Sequence, residues 1–330
     1  MPNPVSFGLI GAGRWGRVYI RTLLSLADRC RLTHLCTSRP ERAGLVPHPV
    51  TVLAHWQALV NSACDAVIIA TPPSTHAEIL EACLEAGKPC IVEKPLCLDV
   101  ETAERLDRQA QSSRVPVLVN HVHLFDPVYH ALKQALNQAG QPIRLILSEG
   151  ASLGPFRTDT SALWDWGPHD LSLCLDLLGA PPERIAALAG PPGPDGSPES
   201  ICIRLDFAAG VSAWTHIGRL TSQKRRTLTV FTERRLYHLD DFSHEKLTVS
   251  PIAFSGRYDA GIPDVLEHSP VRPISQALPM SSMITYFLDG LAGGDRSRFG
   301  TALALAITRI LARCEAAMHD NRPVPAFPSR

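Results

Sequence analysis

The chain has no excess of either charge: 32 Lys and Arg face 32 Asp and Glu over 330 residues, for a formal net charge of zero. Nucleic-acid binders usually carry a basic excess, so the balance gives no support to a polyanion-binding role. The adjacent pairs Arg225-Arg226 and Arg234-Arg235 are therefore expected at solvated strand or turn positions. Long apolar runs are also missing. The longest candidate, Ala302 to Ile307, stops at Thr308 and Arg309, far short of the roughly 18 residues that a membrane span needs. The N-terminus shows no basic stretch leading into a long apolar one, so no secretory leader is expected. Nine cysteines are present, but the number is odd and no CxxC pair occurs. This is neither a disulfide framework nor a zinc pattern. The thiols are expected to be buried in a reducing compartment, with no metal site. These absences together predict a soluble, cytoplasmic protein without membrane or nucleic-acid partners.

What is present is an ordinary core-forming composition, 45% hydrophobic, on a chain long enough for two domains. The first third alternates strand and helix signals. Val5 to Ile10 is a short apolar run ending at glycine, and a helical stretch follows from Arg14 to Leu26. Leu32 to Ser38 reads as a strand. Asp65 to Thr71 is a β-branched apolar strand stopped by Pro72-Pro73. Helices are expected over Thr75–Ala86 (N-cap Ser74 or Thr75, Gly87 just past the end) and Val100–Gln111, and strands over Pro89–Glu93 and Val115–Asn120. Such alternation implies right-handed crossovers and a doubly wound, mostly parallel α/β sheet of the Rossmann type over residues 1–122.

Residues 123–330 read as an α+β domain. Helices are expected at Pro127–Ala139 and from near His169 to Gly179. Strand runs cover Ile143–Ser152, Arg184–Ala189, Ser200–Phe207, Val211–Ile217, Thr227–Thr232, Arg235–Leu239 and Lys246–Val249. The last six follow one another without helices, which predicts a mostly antiparallel open sheet. Residues 250–279 read as irregular. Helices close the chain at Met280–Leu291 and Arg298–Met318.

Gly11-Ala12-Gly13-Arg14-Trp15-Gly16 is a GxGxxG string set between the first strand and first helix. In that context Gly11 permits a tight turn, Gly13 lets the backbone approach a pyrophosphate, and Gly16 lets the helix pack on the strand. The free N–H groups at the helix start suit an anion. After the second strand, where NAD enzymes place an acid, stands Cys36-Thr37-Ser38-Arg39, and no acid occurs between Arg29 and Pro40. Ser38 and Arg39 suit a 2′-phosphate, so NADP(H) is favoured, with NAD(H) as the alternative.

Glu93-Lys94-Pro95 follows the strand before it, at the edge where a Rossmann sheet binds ligands. With the glycine loop and Thr71-Pro72-Pro73-Ser74-Thr75-His76, this turn resembles the Gfo/Idh/MocA oxidoreductases. Asn120 to Pro127 is similar to that family's crossing segment, Asp165-Trp166-Gly167-Pro168-His169-Asp170 to its third motif, and Phe287 through Val324 to its closing helices.

The resemblance implies roles. Lys94 is the central catalytic residue, Glu93 binds the nicotinamide ribose, and a cis peptide precedes Pro95. Thr71, Pro72 and His76 pass along the cofactor, with Arg14, Trp15 and Asn120 also on the nucleotide side. Asp165 and His169, four apart, share one helix face against the substrate, with His169 the proton carrier. On the residues alone, Asp165 could instead cap a structural helix with Asp170 in its first turn. His121, His123, Arg157, Trp164 and Trp166 are further candidates to line a pocket for a sugar or cyclitol, and each could equally be structural. A homodimer or homotetramer is implied by the resemblance only. The implied reaction is reversible oxidation of an alcohol. The alternatives are a non-catalytic NAD(P)-binding sensor, an NAD-dependent glycoside hydrolase of the same family, and, less well matched, a methyltransferase using the glycine loop.

Overall fold

The computed structural model describes residues 3–157, 159–193, 196–252, 268–271 and 275–320. In chain order these form β1 (Val5–Ile10), α1 (Arg14–Ser25), β2 (Cys30–Cys36), β3 (Thr51–Leu53), α2 (Trp56–Val60), β4 (Ala66–Ile69), α3 (His76–Glu85), β5 (Cys90–Glu93), α4 (Val100–Ser113) and β6 (Val117–Asn120). There follow α5 (Pro127–Ala139), β7 (Ile143–Ala151), α6 (Ala162–Leu178), β8 (Arg184–Ala189), β9 (Ser200–Asp206), β10 (Ser212–Gly218), β11 (Arg225–Thr232), β12 (Arg235–Asp240), β13 (Leu247–Pro251), β14 (Ser269–Pro270), α7 (Pro279–Leu291) and α8 (Ala302–Asp320). Contacts divide the chain into two compact units: residues 1–127 with 276–308, and residues 128–275 with 309–330.

The first unit holds a six-stranded sheet in the order β3-β2-β1-β4-β5-β6, every pair parallel. This is the Rossmann order, which reverses between β1 and β4 and opens a crevice at the carboxyl ends of those strands. Strands β4, β5 and β6 are buried at every position, as parallel strands covered on both faces must be. On α1 the buried residues Gly16, Tyr19, Ile20 and Leu23 recur at three- and four-residue spacing and face the sheet. Residues 276–308 complete this unit: Phe287 of α7 meets Phe7 of β1 at 6.1 Å between ring centroids, and Gly300 donates its N–H to the Val117 carbonyl.

The second unit holds an eight-stranded sheet in the order β14-β13-β12-β11-β7-β10-β9-β8. Every pair is antiparallel except β7 with β10. Burial alternates along β9 and β11, the mark of a sheet covered on one face. Helix α6 packs on β7 and β10.

Several elements differ from expectation. The helix expected from near His169 begins at Ala162 and carries Pro168 inside it. A proline disfavours helix partly through a clash with the Cβ of the preceding residue. That residue is Gly167, which has no Cβ, and an added one would lie 2.7 Å from Leu311 Cδ2. Asp170 is consequently not in a first turn but deep in α6, fully buried. Arg226 is not solvated: it is 7% exposed and donates to Asp170 Oδ2 at 2.9 Å. Gly150 leaves the room, since a Cβ there would lie 2.5 Å from the same oxygen. Eight cysteines are buried and all nine are free thiols, but Cys202 is exposed. The short β3 and α2 gave no clear signal. Of the 250–279 stretch, 253–267 and 272–274 lie outside the described residues; Ser269-Pro270 pairs with Val249 and Thr248. Among the described residues, no helix is long and apolar enough to cross a membrane.

Candidate functional site

In the first unit the glycines divide by what surrounds them. Gly11 has φ +94°, and a Cβ there would lie 2.5 Å from the Ala70 carbonyl oxygen. A Cβ on Gly16 would lie 2.1 Å from the Gly11 oxygen. Both positions are thus closed by the protein's own backbone. Gly13 is different: a Cβ would meet nothing within 4 Å. It sits at the N-cap of α1 with no capping side chain, so no side chain of the protein satisfies the first N–H groups through that cap. This geometry fits a dinucleotide pyrophosphate, which needs close backbone approach at this glycine.

Beyond β2, Ser38 and Arg39 are exposed, and the Arg39 N–H donates to Thr37 Oγ1 at 3.1 Å. The short helical turn Pro40–Leu45 brings in a further base that the sequence reading missed. Arg42 Nη1 donates to the Ala12 carbonyl oxygen at 2.8 Å, within the glycine loop itself. A cavity of about 610 Å³ lies alongside, bordered by Arg14, Trp15, Arg17, Arg21 and Leu45. Its charged lining residues are all cations, which suits phosphate.

The turn after β4 is tied to the turn after β5 by one side chain. His76 is wholly buried, with Nδ1 2.8 Å from the Pro95 carbonyl oxygen and Nε2 2.9 Å from that of Thr71. Burial holds its pKa below the usual histidine range, against the pull of the two carbonyls. The ring therefore braces the two turns and is not exposed to the crevice. Thr71 keeps its side chain at the start of this turn, where Thr75 Oγ1 donates to Thr71 Oγ1 at 2.7 Å; Pro72 is exposed.

The Lys94–Pro95 bond is cis. Glu93 is 4% exposed and Lys94 7%. Glu93 Oε1 accepts from Tyr19 Oη at 2.9 Å and from Asn120 Nδ2 at 2.7 Å, and Asn120 Nδ2 also donates to the Tyr19 oxygen at 2.9 Å. Burial raises the Glu93 pKa, opposed by Asn120, Lys94 and Tyr19. Asn120 Oδ1 is buried with no hydrogen-bond partner among the described residues. The same holds for both ring nitrogens of His121. Burial, with the charges of Lys94 and Arg298, pushes the His121 pKa down to about 4, so the ring is neutral. Buried polar atoms without partners are costly, and here they lie at the ligand-binding end of β6. His121 follows β6 directly and His123 stands in the 3₁₀ turn at Val122–Phe125, half-buried.

In the second unit Asp165 and His169 both stand on α6, one turn apart. Asp165 is held by two arginines: Oδ2 accepts from Arg219 Nη2 at 3.2 Å and Oδ1 from Arg157 Nη1 at 3.4 Å. Arg157 also makes a bidentate pair with Asp159, at 2.8 and 2.7 Å. Arg219 is 1% exposed and pairs on its other side with Glu199, equally buried, at 3.3 Å. It also donates to the Thr160 carbonyl at 2.8 Å. His169 is 9% exposed. Trp164 is inside the unit at 5% exposure, with Nε1 donating to Glu315 at 2.7 Å, so its ring presents no open face. Trp166 instead carries the Arg226 guanidinium, 5.6 Å above its ring.

Tyr19, Arg42, Arg219 and Glu199 were not found from sequence. Tyr19 left a signal, since a polar aromatic three residues after Gly16 falls on the buried face of α1. Arg219 and Glu199 left none: their pairing needs the strand register.

Residues 5–121 match the model of an oxidoreductase family with an NAD-binding Rossmann fold, and residues 148–237 match the GFO/IDH/MocA C-terminal domain. UDP-N-acetylglucosamine 3-dehydrogenase of Acidithiobacillus ferrooxidans is 31% identical over 182 residues, 55% of this chain and 56% of that protein. Inositol 2-dehydrogenase of Rhizobium meliloti is 28% identical over 247 residues, 71% and 73% of the two chains. The match to the first of these relatives thus spans little more than half its length. A solved Magnetospirillum magnetotacticum chain, whose description goes no further than oxidoreductase, superposes with a TM-score of 0.84 at 35% identity, covering 94% of this chain and all of that one.

Proposed function

The chain belongs to the GFO/IDH/MocA oxidoreductase family, and from that premise we propose that it is an NAD(P)-dependent dehydrogenase or reductase acting on a hydroxyl-bearing carbon of a sugar, cyclitol or related polyol derivative. One observation carries the reading. Lys94 follows a buried, doubly hydrogen-bonded glutamate on the same sheet edge as a glycine loop whose middle glycine faces open space.

The nicotinamide, when bound, supplies or accepts the hydride. The glycine loop and the α1 N-terminus hold the pyrophosphate, and Glu93 takes the nicotinamide ribose. Ser38 and Arg39, with Arg42 close by, favour the 2′-phosphate and hence NADP(H). Lys94 polarises a substrate carbonyl, or in oxidation stabilises the developing alkoxide. His169 takes or returns the hydroxyl proton. Asp165, held by Arg157 and Arg219, orients the substrate or the imidazole. The names of the two dehydrogenase relatives, one acting on a UDP-sugar and one on inositol, support a hydroxyl-rich substrate.

The test is titration of nucleotide-stripped protein with NADPH and NADH, followed by nicotinamide fluorescence, and then a screen of polyols and keto-sugars. Saturable binding with turnover that Lys94→Ala and His169→Ala each reduce by about 10²-fold or more supports the proposal. Binding without turnover on any polyol leaves a nucleotide-binding protein, and no binding overturns the assignment.

A further inference from the structure

Tyr19 lies two turns into the helix that begins at the glycine loop, yet its hydroxyl ends on the residue before Lys94. It is wholly buried, and its oxygen sits in a closed triangle of hydrogen bonds with Glu93 Oε1 and Asn120 Nδ2, each edge between 2.7 and 2.9 Å. We propose that Tyr19 is a positioning residue for nucleotide binding that acts through Glu93, fixing the carboxylate that the nicotinamide ribose meets. The inference rests on the dinucleotide reading above.

Three arguments lead to it. First, Glu93 Oε1 accepts two donors, so that oxygen is unprotonated, and Tyr19 supplies one of the two. Second, Tyr19 donates its only hydroxyl proton to Glu93 while accepting from Asn120, so rotating the hydroxyl away would break the triangle. Third, a buried carboxylate keeps its charge only where donors and cations stand against it. The groups facing Glu93 are Tyr19 from α1, the Asn120 amide from β6 and Lys94 from its own turn. With burial already raising the Glu93 pKa, loss of the Tyr19 donor raises it further. One helix thereby carries both the phosphate cradle at its start and the anchor of the ribose acceptor.

The experiment is a double-mutant cycle on the full chain: parent, Tyr19→Phe, Glu93→Gln and the double variant. Dissociation constants for NADPH and NADH are measured between pH 8 and 6, with circular dichroism and thermal melts as the folding check. Y19F keeps the ring and removes one oxygen. It is expected to fold, to bind about tenfold more weakly, as for loss of a hydrogen bond to a charged group, and to lose binding at a higher pH on acidification than the parent does. In the E93Q background the same change is expected to shift affinity less than about twofold, since the group it acts through is gone. Equal weakening in both backgrounds, an unchanged profile, or a Y19F chain that does not fold overturns the proposal and makes Tyr19 structural. If the parent binds neither nucleotide, the dinucleotide reading itself falls, whereas parent binding with additive substitutions removes only the role of Tyr19.

Discussion

Arg219 donates to Asp165 Oδ2 at 3.2 Å from a position only 1% exposed, while its other terminal nitrogen faces the equally buried Glu199. Removing one member of a buried ion pair leaves the other uncompensated, at a typical cost of about 3–5 kcal/mol. Arg219→Met is therefore expected to lower unfolding stability by about that amount, read from urea denaturation, and Arg219→Met with Glu199→Gln to recover part of it. An unmoved urea midpoint in the single variant would show that the pair is not a structural support of α6.

The glycines separate binding from folding. Gly16→Ala forces a Cβ to within 2.1 Å of a backbone carbonyl, so loss of stability is expected in a thermal melt. Gly13→Ala points its methyl into open space at φ −68°, an angle that L-residues adopt freely. It is expected to melt like the parent and to bind NADPH at least about tenfold more weakly, because the methyl stands where the pyrophosphate approaches. Normal binding by G13A would remove the pyrophosphate from this loop.

Cofactor choice is expected to lie with Arg39 and Arg42. Arg39→Ala should weaken NADPH by about tenfold or more and NADH by less than twofold, as for loss of a charge-assisted contact to phosphate. Arg42 also braces the Ala12 carbonyl at 2.8 Å, so Arg42→Ala should weaken both nucleotides. Equal effects of R39A on NADPH and NADH, measured by fluorescence titration, would reject the 2′-phosphate role.

His121 predicts an acid-sensitive fold. Its pKa of about 4 lies below the ordinary histidine value of about 6.5 that the unfolded chain keeps. Between those values the unfolded chain binds a proton that the folded chain refuses, so stability rises with pH. The contribution is complete above about pH 6.5 and is lost as pH falls toward 4, up to about 3 kcal/mol. His76 and His238 shift in the same direction, while Glu93 and Asp170 shift the opposite way. The contribution is therefore isolated by comparing the parent with His121→Phe in urea at pH 7.5 and pH 5. Parallel losses in both would show that His121 accepts its proton without cost.

The parallel sheet was legible because β4 is a run of Ala, Val and Ile closed by prolines, and because GxGxxG has meaning between a strand and a helix. The candidate site was legible wherever its residues are contiguous, as in Glu93-Lys94-Pro95. What stayed hidden depends on distant partners. Arg226 looks like a surface arginine until register places it beside Asp170, and Pro168 looks like a helix breaker until Gly167 removes the clash. The His76 brace was equally hidden, because the two groups its ring contacts are backbone carbonyls that any residue could supply.

The first unit is assembled from residues 1–127 and 276–308, and Phe7 of β1, wholly buried, meets Phe287 on the returning helix. During synthesis, a nascent chain that has already emitted the glycine loop and all six parallel strands still lacks the cover for that strand. The nucleotide-binding half thus reaches its finished form only once residues 276–308 have left the ribosome. A gene cut after codon 127 would yield an uncapped sheet instead of a portable nucleotide-binding module, and a frameshift anywhere between codons 128 and 275 would disable the first unit.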